Sequence, residues 1–155
     1  MGYVTTAMTW DELFSQGSEL EAARRRQDAE LVLRDARKRV SRNGEEDWEW
    51  LTEALADPAR KYFVADVFRL QPVPKRLFAA LMRAAVVDVN YSNNRLFLTP
   101  CIESFGRDMV LAELNRLRDS GIATADMHRA GMYWMGQGTS QRRSGASGDG
   151  DRADV

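Results

Sequence analysis

The chain has one cysteine and one histidine in 155 residues, and each scarcity excludes a class of chemistry. A lone cysteine, Cys101, leaves no partner for an intrachain disulfide. With no recognisable secretory leader, this predicts a reducing, cytoplasmic setting. Cys101 follows Pro100 among apolar neighbours, with only His128 to serve as an imidazole base, so it reads as buried and inert. The lone His128 rules out multi-histidine metal sites and histidine dyads. Flanked by Met127 and Arg129 on an amphipathic stretch, it reads as a surface residue. No G-x-x-x-x-G-K-[ST] loop and no strand-associated G-x-G-x-x-G occurs, so nothing cradles a phosphate. No window approaches ~18 consecutive apolar residues, which excludes a transmembrane helix. Lysine is scarce too: 3 lysines accompany 19 arginines. The arginines are interleaved with carboxylates to a net charge of −1, which gives no global case for binding nucleic acid or a membrane. These absences predict no cofactor, no metal and no catalytic centre.

What is present is helical periodicity. Hydrophobic residues make up 44% of the chain, enough for one domain with a core. Thr9-x-x-Glu12 has the form of a capping box and opens a short helix over about 10–16, punctuated by Gly17. Ser18-x-x-Glu21 is a second box and predicts a long helix to about Arg42. Its thin apolar stripe is Leu20, Ala23, Leu31, Val32, Ala36 and Val40, and Asn43-Gly44 ends it. Trp48, Leu51, Thr52 and Leu55 lie at i, i+3, i+4 and i+7 of a helix over 45–56. Asp57-Pro58 opens the next, with Phe63, Val64, Val67, Phe68 and Leu70 as a broad buried face, and Gln71–Pro74 stops it.

The pattern recurs twice. Leu77, Phe78, Leu81, Met82 and Ala85 form the inner face of a helix over 75–88. After the polar turn Asn90–Asn93 comes a helix carrying Leu96, Phe97, Cys101, Ile102 and Phe105, in which Pro100 predicts a kink or short break. Gly106 suits a left-handed cap. Helices over 107–119 and 124–135 follow, the first with Val110, Leu111, Leu114 and Leu117, the second with Met127, Ala130, Gly131 and Trp134. From 136 to 155 the chain holds five glycines and three serines and too little apolar surface to order, which predicts a disordered tail.

Three helix pairs starting near residues 46, 74 and 107 have the spacing of a two-helix solenoid. The stretch Leu51, Ala54-Leu55, Asp57-Pro58-Ala59-Arg60-Lys61-Tyr62-Phe63-Val64-Ala65 resembles a HEAT repeat. The runs Asn93–Phe97, Pro100-Cys101, Phe105-Gly106 and Ala130–Trp134 are similar to bacterial HEAT-like proteins. The resemblance covers about residues 45–135. It implies an all-α domain, a short right-handed αα-superhelix of HEAT-like pairs, preceded by an N-terminal helical extension over 1–44 and followed by the tail. It also implies a non-enzymatic scaffold or adaptor whose second helices line an inner, partner-binding curve.

Outward positions expected on that curve are Lys61, Asp66, Arg69, Asn94, Arg95, Arg129 and Tyr133. Trp50 falls off the inner helical faces and reads as an exposed contact anchor. Glu45, Glu46, Asp47, Glu49 and Glu53 crowd one helix, but acid–base work needs a carboxylate pair in a dry cleft, so they read as dipole-favoured and solvated. The cationic run Arg24–Arg26, Arg34, Arg37–Arg39 and Arg42 reads as a solvated face. Its functional alternative is a nucleic-acid stripe, as in a HEAT-like alkyl-purine glycosylase. A further alternative is a structural piece of a longer array. The expected partner is a protein. The open end of the stack, Met132–Met135, predicts self-association through residues 127–135.

Overall fold

The computed structural model describes residues 8–40 and 44–143, those from 137 by their backbone. Among them it is all-α. The helices are α1 (Trp10–Ala22), α2 (Arg26–Val40), α3 (Glu45–Leu55), α4 (Lys61–Phe68), α5 (Lys75–Val87), α6 (Asn94–Phe105), α7 (Arg107–Asp119) and α8 (Ala125–Arg143), with a 3-10 turn at Tyr91–Asn93.

Local chemistry sets the helix ends. Thr9 and Glu12 form the reciprocal capping box at the start of α1. The helix then runs straight through Gly17 and Ser18. The expected break at Gly17 is corrected to Arg24, which adopts φ 58°. There the Arg25 amide donates to the Leu20 carbonyl and the Arg24 amide to that of Glu21, a Schellman ending built on arginine in place of glycine. Consequently Ser18-x-x-Glu21 lies mid-helix and opens nothing. Gly106 serves both the end of α6 and the start of α7, at φ 86° and ψ 163°. That is a positive-φ conformation essentially reserved for glycine, though not the left-handed helical one. The helix α6 continues through Pro100 without a break.

The helices pack as an ordered double layer. The first helices of the pairs form one row, with α3 on α5 and α5 on α7. The second helices form the other, with α2 on α4, α4 on α6 and α6 on α8. The N-terminal segment is itself a pair, α1 against α2; α2 continues the second-helix row, and α1 meets α3 through side chains. Trp10 of α1 stacks on Trp50 of α3 with ring centroids 5.3 Å apart, and its indole N–H donates to Asp47 at 2.8 Å. One continuous core results, reaching from Trp10 and Leu13 through Leu51, Val64, Phe68, Leu81 and Phe97 to Leu114, Leu117 and Met135.

Several side chains differ from expectation. Leu31 and Leu70 are exposed, Leu70 at 64%, and Leu96 sits at the rim, while Leu33 and Leu98 take the buried places. Residues 136–143, expected to belong to a disordered tail, instead continue α8, which runs to Arg143. Residues 144–155, the positions 1–7 and residues 41–43, including Arg42 and Asn43, lie outside the described residues.

Candidate functional site

The second-helix row carries two adjoining clefts, one on each side of α4, and Asp66 lines both. The first lies between α4 and α6 and has a volume of about 240 Å³. Arg69 and Arg95 stand at its walls, with Leu96, Thr99 and Glu103 from α6 and Ala65 beneath. Helical spacing puts Arg95, Thr99 and Glu103 at i, i+4 and i+8, one stripe facing α4. The guanidinium of Arg95 lies 5.4 Å from the ring centroid of Trp134, so this wall extends to α8. Arg69 pairs with Glu30 of α2 at 3.3 Å. The second cleft, about 290 Å³, lies between α4 and the α1–α2 pair and is lined by Phe14, Glu21, Leu33, Tyr62 and Phe63 among others.

Asp66 is half-buried, and no described residue donates a hydrogen bond to its carboxylate. Burial pushes its pKa above the ordinary value of 3.8, helped by Glu21 and Glu30 and opposed by Arg69 and Arg37. A group whose folded-state pKa is raised stabilises the fold only below its ordinary pKa and costs stability once ionised. Asp66 is therefore an unfavourable residue for the fold at neutral pH, a pattern that concentrates at working sites.

The expected contact residues separate into two groups. Arg69 and Arg95 come together in one cleft, and Arg129 and Tyr133 project one turn apart from α8, Tyr133 being 58% exposed. Lys61 and Asn94 do not join them. Lys61 is buried, its ammonium 2.9 Å from Asp88 and 5.7 Å from the ring centroid of Phe97. Asp88 also accepts from the Tyr62 hydroxyl and, at 2.9 Å, from the Asn90 amide, and Asn93 donates to Tyr62 at 3.1 Å. Burial alone would raise Asp88, but these donors together hold it below its ordinary value of 3.8. Asn94 is 1% exposed, and neither side-chain polar atom finds a partner among the described residues. Trp50 is half-buried on the opposite row, stacked on Trp10 and donating to Asp11 at 3.0 Å. It is a structural anchor of the first pair and no free contact.

The cationic run of α2 is largely engaged by the fold. Arg37 donates to the Asp66 and Val67 carbonyls at 2.8 and 3.0 Å, closing the end of α4, and pairs with Glu30 at 2.8 Å. Arg39 pairs with Asp47 at 3.0 Å and lies over the Trp10 ring. Arg24–Arg26, Arg34 and Lys38 remain exposed.

Reactive groups are quenched. Burial pushes the Cys101 thiol up to about 12. Burial and then Arg118 hold His128 below 6.5, and its ring nitrogen lies 2.9 Å from the Asn115 amide oxygen. Among the described residues no group of three or more histidine, cysteine or acidic side chains is placed to hold a metal ion, and no helix is long and apolar enough to cross a membrane.

Comparison with protein-family models, with curated proteins and with solved structures gave no match.

Proposed function

We propose that the chain is a non-enzymatic, cytoplasmic, protein-binding scaffold of HEAT-repeat type, and that it engages its partner through the cleft between α4 and α6. The observation that carries this reading is the pairing of Arg69 and Arg95 across an otherwise apolar-floored cleft, on the row that a solenoid would use as its inner face. Arginine and a part-apolar floor suit a protein surface: the planar fork binds a carboxylate bidentately while the stem packs. The ordered packing of first helices on first and second on second supports the solenoid reading. A nucleic-acid role is disfavoured, because Arg37 and Arg39 hold the fold together and Asp66 and Glu103 share the cleft with its arginines. Exposed Met132 and Tyr133 leave room for self-association through α8, which sedimentation of the wild type and Tyr133→Glu would register as a loss of concentration dependence.

The test is affinity capture with wild-type protein and with the Arg69→Glu/Arg95→Glu variant, each with and without nuclease. The reading expects a polypeptide retained after nuclease and lost, with wild-type thermal unfolding preserved, in the double variant. Retention by both proteins, or complete loss on nuclease treatment, contradicts it.

A further inference from the structure

The cleft between α4 and the α1–α2 pair carries a different chemistry from its neighbour. Three aromatic rings line it: Phe14, Tyr62 and Phe63, the two phenylalanines packed edge to face with centroids 5.8 Å apart. Two carboxylates, Glu21 from α1 and Asp66 from α4, line it as well, and neither forms an ion pair among the described residues. Ser18 adds a hydroxyl, and Gly17 leaves the floor low against Phe63.

The charges acting on Asp66 are Arg69 and Arg37 on one side and Glu21 and Glu30 on the other. Both arginines already pair with Glu30, which leaves Glu21 and Asp66 without an ion pair among the described residues. Aromatic faces and edge carboxylates are the features that attract an organic cation out of water. The chain's own arginines follow the same preference: Arg39, Arg60, Arg76 and Arg95 each lie within 5.5 Å of an indole centroid.

We infer that this aromatic, acidic cleft receives one arginine side chain of the partner protein, its guanidinium against the Phe14–Phe63 rings and paired with Asp66 and Glu21. The volume of about 290 Å³ is ample for one such side chain. Burial raises the Asp66 pKa, and a guanidinium paired with it in the complex would add a direct counter-charge to the more distant Arg69 and Arg37. The inference rests on the protein-binding reading for the source of the cation. It also divides the partner's recognition between the two sides of α4: an acidic group towards Arg69 and Arg95, a basic one towards Asp66 and Glu21.

The test uses amide-resolved NMR titration of the full chain with N-acetyl-arginine amide, its uncharged citrulline counterpart, and spermidine. Saturable shifts at Gly17, Phe63 and Asp66 are expected with the arginine compound, at a millimolar-range dissociation constant suited to one side chain. The citrulline compound should give none. Asp66→Asn and Glu21→Gln should each weaken binding about tenfold or more, as loss of a charge-assisted contact does. Asp66→Asn removes an unfavourable carboxylate, so it should fold at least as well as wild type, and Glu21→Gln changes an exposed position of α1. No saturable shift, equal shifts with citrulline, or indifference to both substitutions would overturn the inference. Tighter binding of spermidine at the same resonances would overturn the assignment to a protein side chain. The Arg69→Glu/Arg95→Glu variant should still bind the arginine compound, so failure of this cleft and failure of the neighbouring one are separately visible.

Discussion

At the residue scale, the telling positions are two polar side chains that head apolar quartets. Lys61, Val64, Ala65 and Phe68 lie at i, i+3, i+4 and i+7, and so do Asn94, Phe97, Leu98 and Cys101; all eight are buried. The periodicity was in the sequence, but polarity at the first position suggests exposure, and the stripe reads one step rotated. What made burial of Lys61 tolerable is not local: its counterion, Asp88, arrives from the far end of α5. Removing one member of such a pair leaves the other buried and uncompensated. Lys61→Met should therefore cost about 3 kcal/mol or more in chemical denaturation, and a loss below about 1 kcal/mol would show that Asp88 is held by Tyr62 and Asn90 alone. The sign of the acid response follows as well. Asp88 is depressed in the fold, so its stabilisation is present above its ordinary pKa of 3.8 and is lost as pH falls through the folded value. Wild type should lose stability below that point, and Asp88→Asn should lose less. Asn94 is the opposite case, a buried amide with no partner among the described residues. Exchanging it for an apolar residue of similar size removes a desolvation cost, so Asn94→Leu should match or exceed wild type in thermal melting. A drop of several degrees would show that the amide is satisfied.

At the scale of elements, helix content and most boundaries were legible because apolar spacing and proline are strong local signals. The exceptions were the end of α8, which runs to Arg143 past the glycines expected to stop it, and the N-terminal pair, where glycine and a sequence resembling a capping box pointed to a break at Gly17. Capping motifs are permissive, and a Schellman ending on arginine carries no sequence mark of its own. Three glycines differ in what a methyl group would do. At Gly17 an added Cβ meets Phe63 and Val32 at 3.6 Å, an ordinary contact inside a helix. Gly17→Ala should stabilise by up to about 1 kcal/mol through helix propensity. At Gly106 nothing crowds the Cβ, but φ is 86°, so Gly106→Ala should cost about 1–3 kcal/mol through backbone strain alone. At Gly131 the Cβ meets the buried Leu114 side chain at 3.0 Å, where α8 closes on α7, and Gly131→Val should destabilise by about 1–3 kcal/mol through overpacking. Equilibrium denaturation of the three variants checks the order, and a destabilised Gly17→Ala would reverse the placement of the α1–α2 break.

At the scale of the whole molecule, the packing of helix pairs was legible, and the residues of the candidate cleft only in part. Arg69 and Arg95 were identified from helical phase, but their cleft partners Leu96, Thr99 and Glu103 were not, although the i, i+4, i+8 stripe through Arg95 could have shown two of them. The second cleft was out of reach of sequence reasoning. It joins Phe14 and Glu21 of α1 to Tyr62, Phe63 and Asp66 of α4, and that meeting depends on the first pair stacking on the second through Trp10 and Trp50. The proposed function requires that the second-helix row, and not the first, meet another protein. Site-specific photo-crosslinking in cells of the source tests it most directly, with the reactive group placed at Leu96 in the α4–α6 cleft or at Glu49 on the exposed side of α3. A discrete crosslinked polypeptide is expected at Leu96, lost on Arg69→Glu/Arg95→Glu, and none at Glu49. Crosslinks at Glu49 and not at Leu96, or nucleic acid in place of a polypeptide, would contradict it.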